Sequence, residues 1–195
     1  MAAARSPLRS VVLKGCVKGC GAVVLPLMLS ACSWSWFGLN SSAQHARTHA
    51  TGSLSVAPAR DFPYLPARDG HISPNRIENT AMTGLVLKDD ISQVVRNSVA
   101  NSLRIAGLRI DDSRRVLSGS IETFTVDDTR SPALWTLKMH YVVTDAVTRK
   151  VMFSTTRTVK QKSPKFTSNT IAIEDTVKLN VDTLIGDPGF IKAVN

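Results

Sequence analysis

Between Ala133 and Thr144 hydrophobicity alternates residue by residue, and that pattern limits the architectures open to the chain. Trp135, Leu137, Met139, Tyr141 and Val143 share one side, while Thr136, Lys138, His140 and Thr144 share the other. An extended strand sends successive side chains to opposite faces, so this segment reads as a strand buried on one face. Purely parallel sheets are covered on both faces and lack such alternation, which points to an antiparallel sheet with one apolar face. Val151, Phe153, Thr155, Arg157 and Val159 keep the same period after a loop around Asp145 to Lys150, and the two segments predict a hairpin. Val116 to Val126 predicts a further strand, whose alternation slips near Thr123 as a bulge would make it do. Leu108 to Ile110 predicts a short one.

Two segments change period. Ile91, Val94, Val95, Ser98, Val99, Ser102, Leu103 and Ala106 recur at helical spacing, with Asp89 or Asp90 to cap the start and Gly107 to end it. Arg96, Asn97, Asn101 and Arg104 fall on the wet side of that helix. Ile173, Val177, Val181, Leu184 and Ile185 line a second helix, capped by Ser168 and stopped by Gly186 and Pro188. Each helix has one apolar stripe and the sheet has one apolar face. The expected fold is therefore α+β: an antiparallel sheet of about four to five strands with two helices packed on one face.

The first 31 residues belong to none of this. Arg5, Arg9, Lys14 and Lys18 occur there without an acid, followed by the thirteen-residue apolar stretch Gly19 to Ala31. Thirteen helical residues reach roughly 20 Å, too short for a bilayer core of roughly 30 Å, and the arrangement is that of a secretory signal. It ends in Leu29-Ser30-Ala31-Cys32, which resembles the lipobox of bacterial lipoproteins. That resemblance implies cleavage between Ala31 and Cys32, a diacylglyceryl group on the Cys32 thiol and an acyl chain such as palmitate on its new amino group. Several acyl chains anchor a protein stably where one does not. Ser33 follows, and a residue other than Asp there implies the outer membrane under the enterobacterial sorting rule. A chance cysteine after a plain signal or an apolar N-terminal helix is the competing reading.

Removal of residues 1–31 changes two counts. Of three cysteines, Cys16 and Cys20 go and Cys32 is acylated, so neither a disulfide nor a thiolate metal site is expected in the mature chain. The whole chain has 24 Lys plus Arg against 15 Asp plus Glu, a net charge of +9 that suits nucleic acid. Without the four early bases, 20 stand against 15, or +5, and the nucleic-acid reading loses its main support.

Cys32 to about Arg76 reads as a Ser/Pro-rich tether, with Pro58, Pro63, Pro66 and Pro74. Trp34, Trp36 and Phe37 suit the lipid headgroup region, and Leu54-Ser55-Val56 alternates as a short strand would. His45 and His49 lack a third ligand nearby. The domain plan is thus 1–31 signal peptide, 32–76 lipidated cysteine and tether, and 77–195 periplasmic α+β domain.

No catalytic constellation emerges. Ser118-Gly119-Ser120 lies within a strand, the wrong context for a nucleophile elbow. Asp111-Asp112 and Asp127-Asp128 read as turn residues, and His140 as a solitary histidine on the wet face. No cofactor and no metal are expected. The run Arg149, Lys150, Arg157, Lys160, Lys162 and Lys165 contains no acid and is a candidate surface for an anionic partner. A solvated face that blunts an edge strand explains the same run.

The lipobox, the strand Ser53 to Ala57, the helix Ile91 to Ala106 with its Ala106-Gly107-Leu108 exit, the strands from Leu117 to Lys160 and the helix Ile173 to Ile185 with the tail Asp187-Pro188-Gly189-Phe190-Ile191 together resemble the YajG-type lipoproteins of Gram-negative bacteria. The chain departs from them in its longer basic segment and in the Pro-rich stretch around Phe62 to Pro66. The resemblance implies an envelope lipoprotein without assigned catalysis, and the lipobox with Ser33 adds the expectation of a lipid anchor on the periplasmic face of the outer membrane. The expected function is a non-enzymatic binding or accessory module with an envelope protein partner, and anionic lipid as a further one. An auxiliary subunit of lipid or lipopolysaccharide transport and a periplasmic hydrolase are the alternatives.

Overall fold

The computed structural model describes residues 50–81, 84–165 and 167–195. Its elements are β1 (Ser55–Val56), β2 (Arg76–Asn79), β3 (Leu85–Val86), α1 (Ile91–Ile105), β4 (Arg115–Asp127), β5 (Ala133–Asp145), β6 (Val151–Ser163), α2 (Asn169–Ile185) and α3 (Pro188–Val194). The sheet runs β3-β2-β4-β5-β6, and β1 also pairs with β4. The fold is α+β, as the two hydrophobic periods require.

β4, β5 and β6 form an antiparallel meander. Buried and half-buried residues alternate along the whole of β5, with Trp135, Leu137, Met139, Tyr141 and Val143 inside. The register of β4 on β5 shifts between Ile121 and Thr123, where the sequence alternation slips. Glu122 is the extra residue, and its carboxylate takes Lys138 Nζ at 2.8 Å. α2 buries Ile173, Val177, Val181, Leu184 and Ile185 and packs on β5 and β6, with α1 alongside. Gly107, at φ +99°, ends α1 in the left-handed conformation that glycine tolerates, and Leu108 N–H returns to Leu103 O at 3.1 Å.

Five features differ from expectation. The stretch 50–76 is packed chain, not tether: Leu54 and Phe62 are fully buried and Val56, Ala57 and Tyr64 nearly so. Burial is worth about 1.5–3 kcal/mol for each large apolar side chain, a gain that an average over Ser and Pro conceals. Proline also keeps its acceptor: Pro63 O receives Ile121 N–H at 2.9 Å, and Ala57 N–H reaches Leu117 O at 2.9 Å. The segment therefore completes the edge of β4 in a single pass. Because that pass runs with β4, β1 and β2 pair with it in parallel, and the sheet is mixed rather than antiparallel throughout.

Leu108 to Ile110 forms no strand; only a bridge joins Arg109 to Ser53. Pro188, expected as a stop, opens α3, where a residue without an N–H loses nothing at the first position. Asp187 Oδ1 caps it by accepting Gly189 N–H at 2.7 Å, and Phe190 inserts edge-on to Phe153 with ring centroids 5.9 Å apart. Arg96 is not simply solvated. It folds over β1 and donates to the carbonyls of Val56 at 2.9 Å and Ala57 at 3.0 Å.

Candidate functional site

Leu29, Ser30, Ala31 and Cys32, expected as a lipobox, lie outside the described residues. So do Trp34, Trp36, Phe37, His45 and His49.

The basic run from Arg149 to Lys165 is not one surface, because a strand divides its residues between two faces and two ends. Arg157 lies in the inward row of β6 with Phe153 and Val159, half-buried. Its guanidinium pairs with Asp187, the residue that caps α3, and its Nε is buried without a partner. Lys160 and Lys162 face the open side, opposite Thr136 and Leu134, and Lys165 follows in the turn. Arg149 and Lys150 sit at the other end of β6. At about 3.3 Å per strand residue, Lys150 and Lys160 stand roughly 33 Å apart.

The turn that carries Arg149 and Lys150 is tightly built. Asp145 Oδ1 accepts the backbone N–H groups of Val147 at 2.9 Å and Thr148 at 2.8 Å. Its Oδ2 meets Arg114 Nε at 3.3 Å. The Thr148 N–H first, then the Arg114 and Val147 groups, hold the Asp145 carboxyl below its ordinary pKa against the opposing effect of burial. Arg149 N–H returns to Asp145 O at 2.7 Å, with Arg149 in the left-handed region at φ +58°. The next strand-end carboxylate is engaged too: Asp112 accepts Ser53 Oγ at 3.0 Å and pairs with Arg115 at 3.5 Å.

At the opposite end of the sheet is a cavity of about 400 Å³ with an apolar floor of Val126, Ala133 and Trp135. Trp135 stacks edge-on with Phe124. Asp128 stands on the rim, where its Oδ2 accepts Asn79 Nδ2 at 3.1 Å and its Oδ1 is buried without a partner. Asp127 is the true turn former, taking Thr129 Oγ1 at 2.6 Å and Thr80 Oγ1 at 2.8 Å, which hold its carboxyl below the usual pKa. The two adjacent aspartates thus have different jobs, a distinction that sequence alone does not draw.

His140 lies on the open face between Thr156 Oγ1 at 3.0 Å and Ser154 Oγ at 3.2 Å. Two hydroxyl partners can satisfy both ring nitrogens of a neutral imidazole whichever tautomer it takes. On the inward face, Tyr141 donates its hydroxyl to Asn180 Oδ1 at 2.9 Å. The Asn180 amide in turn donates to the carbonyls of Leu137 at 3.3 Å and Arg157 at 3.2 Å. Burial pushes the Tyr141 phenol far above its ordinary pKa, and burial with the nearby Glu78 charge pushes Tyr64 up to about 12. Both tyrosines therefore act as neutral donors. The signal for Asn180 was present in the sequence: it is a polar residue in the apolar stripe between Val177 and Val181.

Among the described residues, no three His, Cys, Asp or Glu side chains gather as a metal site. The class defined by the fold is a small α+β domain with a mixed sheet covered by helices. No family model matches the chain. No curated protein matches it either. Similar solved structures include a Xanthomonas campestris protein of family-model DUF330, with TM-score 0.46 and 18% identity over 72% of this chain and 82% of that one. The PelC dodecamer of Paraburkholderia phytofirmans aligns with TM-score 0.38 and 17% identity, over 70% of this chain and 88% of its own. The lipoprotein GNA1162 of Neisseria meningitidis aligns with TM-score 0.37 and 12% identity, over 70% and 99%. Solved structures that resemble the chain thus include bacterial lipoproteins.

Proposed function

We propose that this protein is a lipid-anchored lipoprotein of the bacterial envelope, acylated at Cys32, whose α+β domain serves as a non-enzymatic binding or accessory module. The observation that carries the reading is the order of parts: a basic segment, a short apolar segment, Leu29-Ser30-Ala31-Cys32, then a packed domain. Ser33 favours the outer membrane, with the domain on its periplasmic face. The pattern from Ser53 to Ile191 supports kinship with the YajG-type lipoproteins. Arg157 with Asp187, Arg114 with Asp145 and Lys138 with Glu122 join elements of the fold, so these charges are occupied within the domain. The proposed partner is an envelope protein. A role in lipid or lipopolysaccharide transport loses the contiguous basic hairpin on which it leaned.

Metabolic labelling with an alkyne fatty acid tests the anchor. The wild-type chain is expected to take up label and to fractionate with the outer membrane, and Cys32→Ala to lose both. Equal labelling of the two chains would refute acylation at Cys32. Crosslinking in the intact envelope, followed by recovery of the protein, then reads out the partner.

A further inference from the structure

Four observations converge on one end of the domain. The first is where the chain from Cys32 joins it. Ala50 N–H bonds to Ala106 O at 3.0 Å, just past α1, and Arg109 N–H bonds to Gly52 O at 3.1 Å. β1 then pairs with Val116, next to Arg115, which lies opposite Asp145 at the start of the β5–β6 turn. The C-terminus of α1, the loop 106–114 and that turn therefore share the end at which the described chain begins. The seventeen residues between Cys32 and Ala50 span at most roughly 65 Å.

The second observation is charge. Arg104, Arg109, Arg149 and Lys150 are all exposed at this end. None of the four is in an ion pair among the described residues, because Asp145 and Asp112 are taken by Arg114 and Arg115. Exposed acids border the same end: Asp111 in the loop, Asp61 in a cavity it shares with Arg149, and Glu174 and Asp175 in a groove they share with Ile105. The third is apolar exposure. Val147 at the tip of the turn is 79% exposed and Ile105 on the last turn of α1 is 66% exposed, more than any other large hydrophobic among the described residues. The fourth is that the turn is held in shape by Asp145, so Val147 is presented rather than merely loose.

At the turn, an exposed valine beside Arg149 and Lys150, both without an ion pair among the described residues, suits a surface that is anionic outside and apolar just beneath. We infer that this end of the domain rests on the anionic phospholipid headgroups of the membrane that holds the anchor, with Val147 at the interface. The inference rests on the anchor reading above and adds to it an orientation. Each basic residue at an anionic surface raises local partitioning about fivefold, and the effect fades within a Debye length.

The test uses the full mature lipoprotein with Val147→Cys carrying an environment-sensitive fluorophore, reconstituted on vesicles of phosphatidylcholine alone or mixed with phosphatidylglycerol. Emission is expected to shift to the blue and brighten severalfold only on the mixed vesicles, and to revert in high salt. The same probe at Thr129→Cys, in the turn at the far end, is expected to stay aqueous on both. Reversing Arg104, Arg109, Arg149 and Lys150 to glutamate should abolish the response with far-UV circular dichroism unchanged. Identical emission at residue 147 on both vesicles would overturn the inference, as would an equal response at residue 129. A response to soluble poly-glutamate but not to vesicles would also overturn it, in favour of an acidic protein partner. Failure of the anchor reading looks different: the purified chain would lack acyl mass and would not float with neutral vesicles.

Discussion

Tyr141→Phe removes one oxygen from the middle of the interface between β5 and α2. Both Tyr141 and Asn180 are fully buried, and the hydroxyl donates to Asn180 Oδ1 at 2.9 Å. Losing the bond costs about 1 kcal/mol net, and leaving the buried acceptor unsatisfied adds about 1 kcal/mol or more. The expected loss is about 2 kcal/mol, a fall in Tm of about 4–8 °C for a domain of this size. Asn180→Ala goes further, since the same amide holds the carbonyls of Leu137 and Arg157. With the space it leaves, that change is expected to cost about 3–4 kcal/mol. If the two side chains act as a unit, the double variant costs about 1–2 kcal/mol less than the sum of the singles. Urea unfolding of the mature chain, followed by far-UV circular dichroism, reads all four corners of the cycle. Tyr141→Phe within about 0.5 kcal/mol of wild type would refute the reasoning, since a surface substitution does no more. Strict additivity would refute the coupling.

Two further outcomes follow from local geometry. A Cβ at Gly119 would collide with His140 O and press on the Phe62 ring at 3.4 Å, so Gly119→Ala is expected to lower stability by about 2 kcal/mol; an unchanged urea midpoint would show that the backbone yields. Asp112, Asp127 and Asp145 all have carboxyls held below their ordinary value of 3.8 in the folded state. Their contribution is complete above that value and is lost as pH falls through the lower folded values, so the wild type should lose stability below about pH 4 and a triple Asp→Asn variant should lose less over the same window.

Much of the fold was legible because its long elements carry clean periods. The burial of β5, the bulge beside Ile121, the stripe of α2 and the Gly107 exit of α1 each follow from spacing that any packed solution must respect. Residues 50–76 were not legible, because composition reports the prolines and serines while the outcome turns on where Leu54, Phe62 and Tyr64 fall. Whether such a segment packs depends on an open strand edge, and the edge of β4 is supplied by residues some sixty positions later.

The candidate surfaces divide in the same way. A run of bases is visible in one dimension, but strand alternation and strand length decide where its members point. That is why Arg157 went inward to Asp187 while Arg149 and Lys150 ended far from Lys160 and Lys162. A lipobox, by contrast, would be a local signal read by a peptidase on the chain itself, and the proposal that Leu29 to Cys32 is one rests on the sequence alone. What only the tertiary structure decided is which charges remain free. Arg114 and Arg115 are paired with carboxylates distant or near in sequence, and among the described residues Arg104 and Arg109 are not, because a charge is committed by the neighbours that folding brings to it.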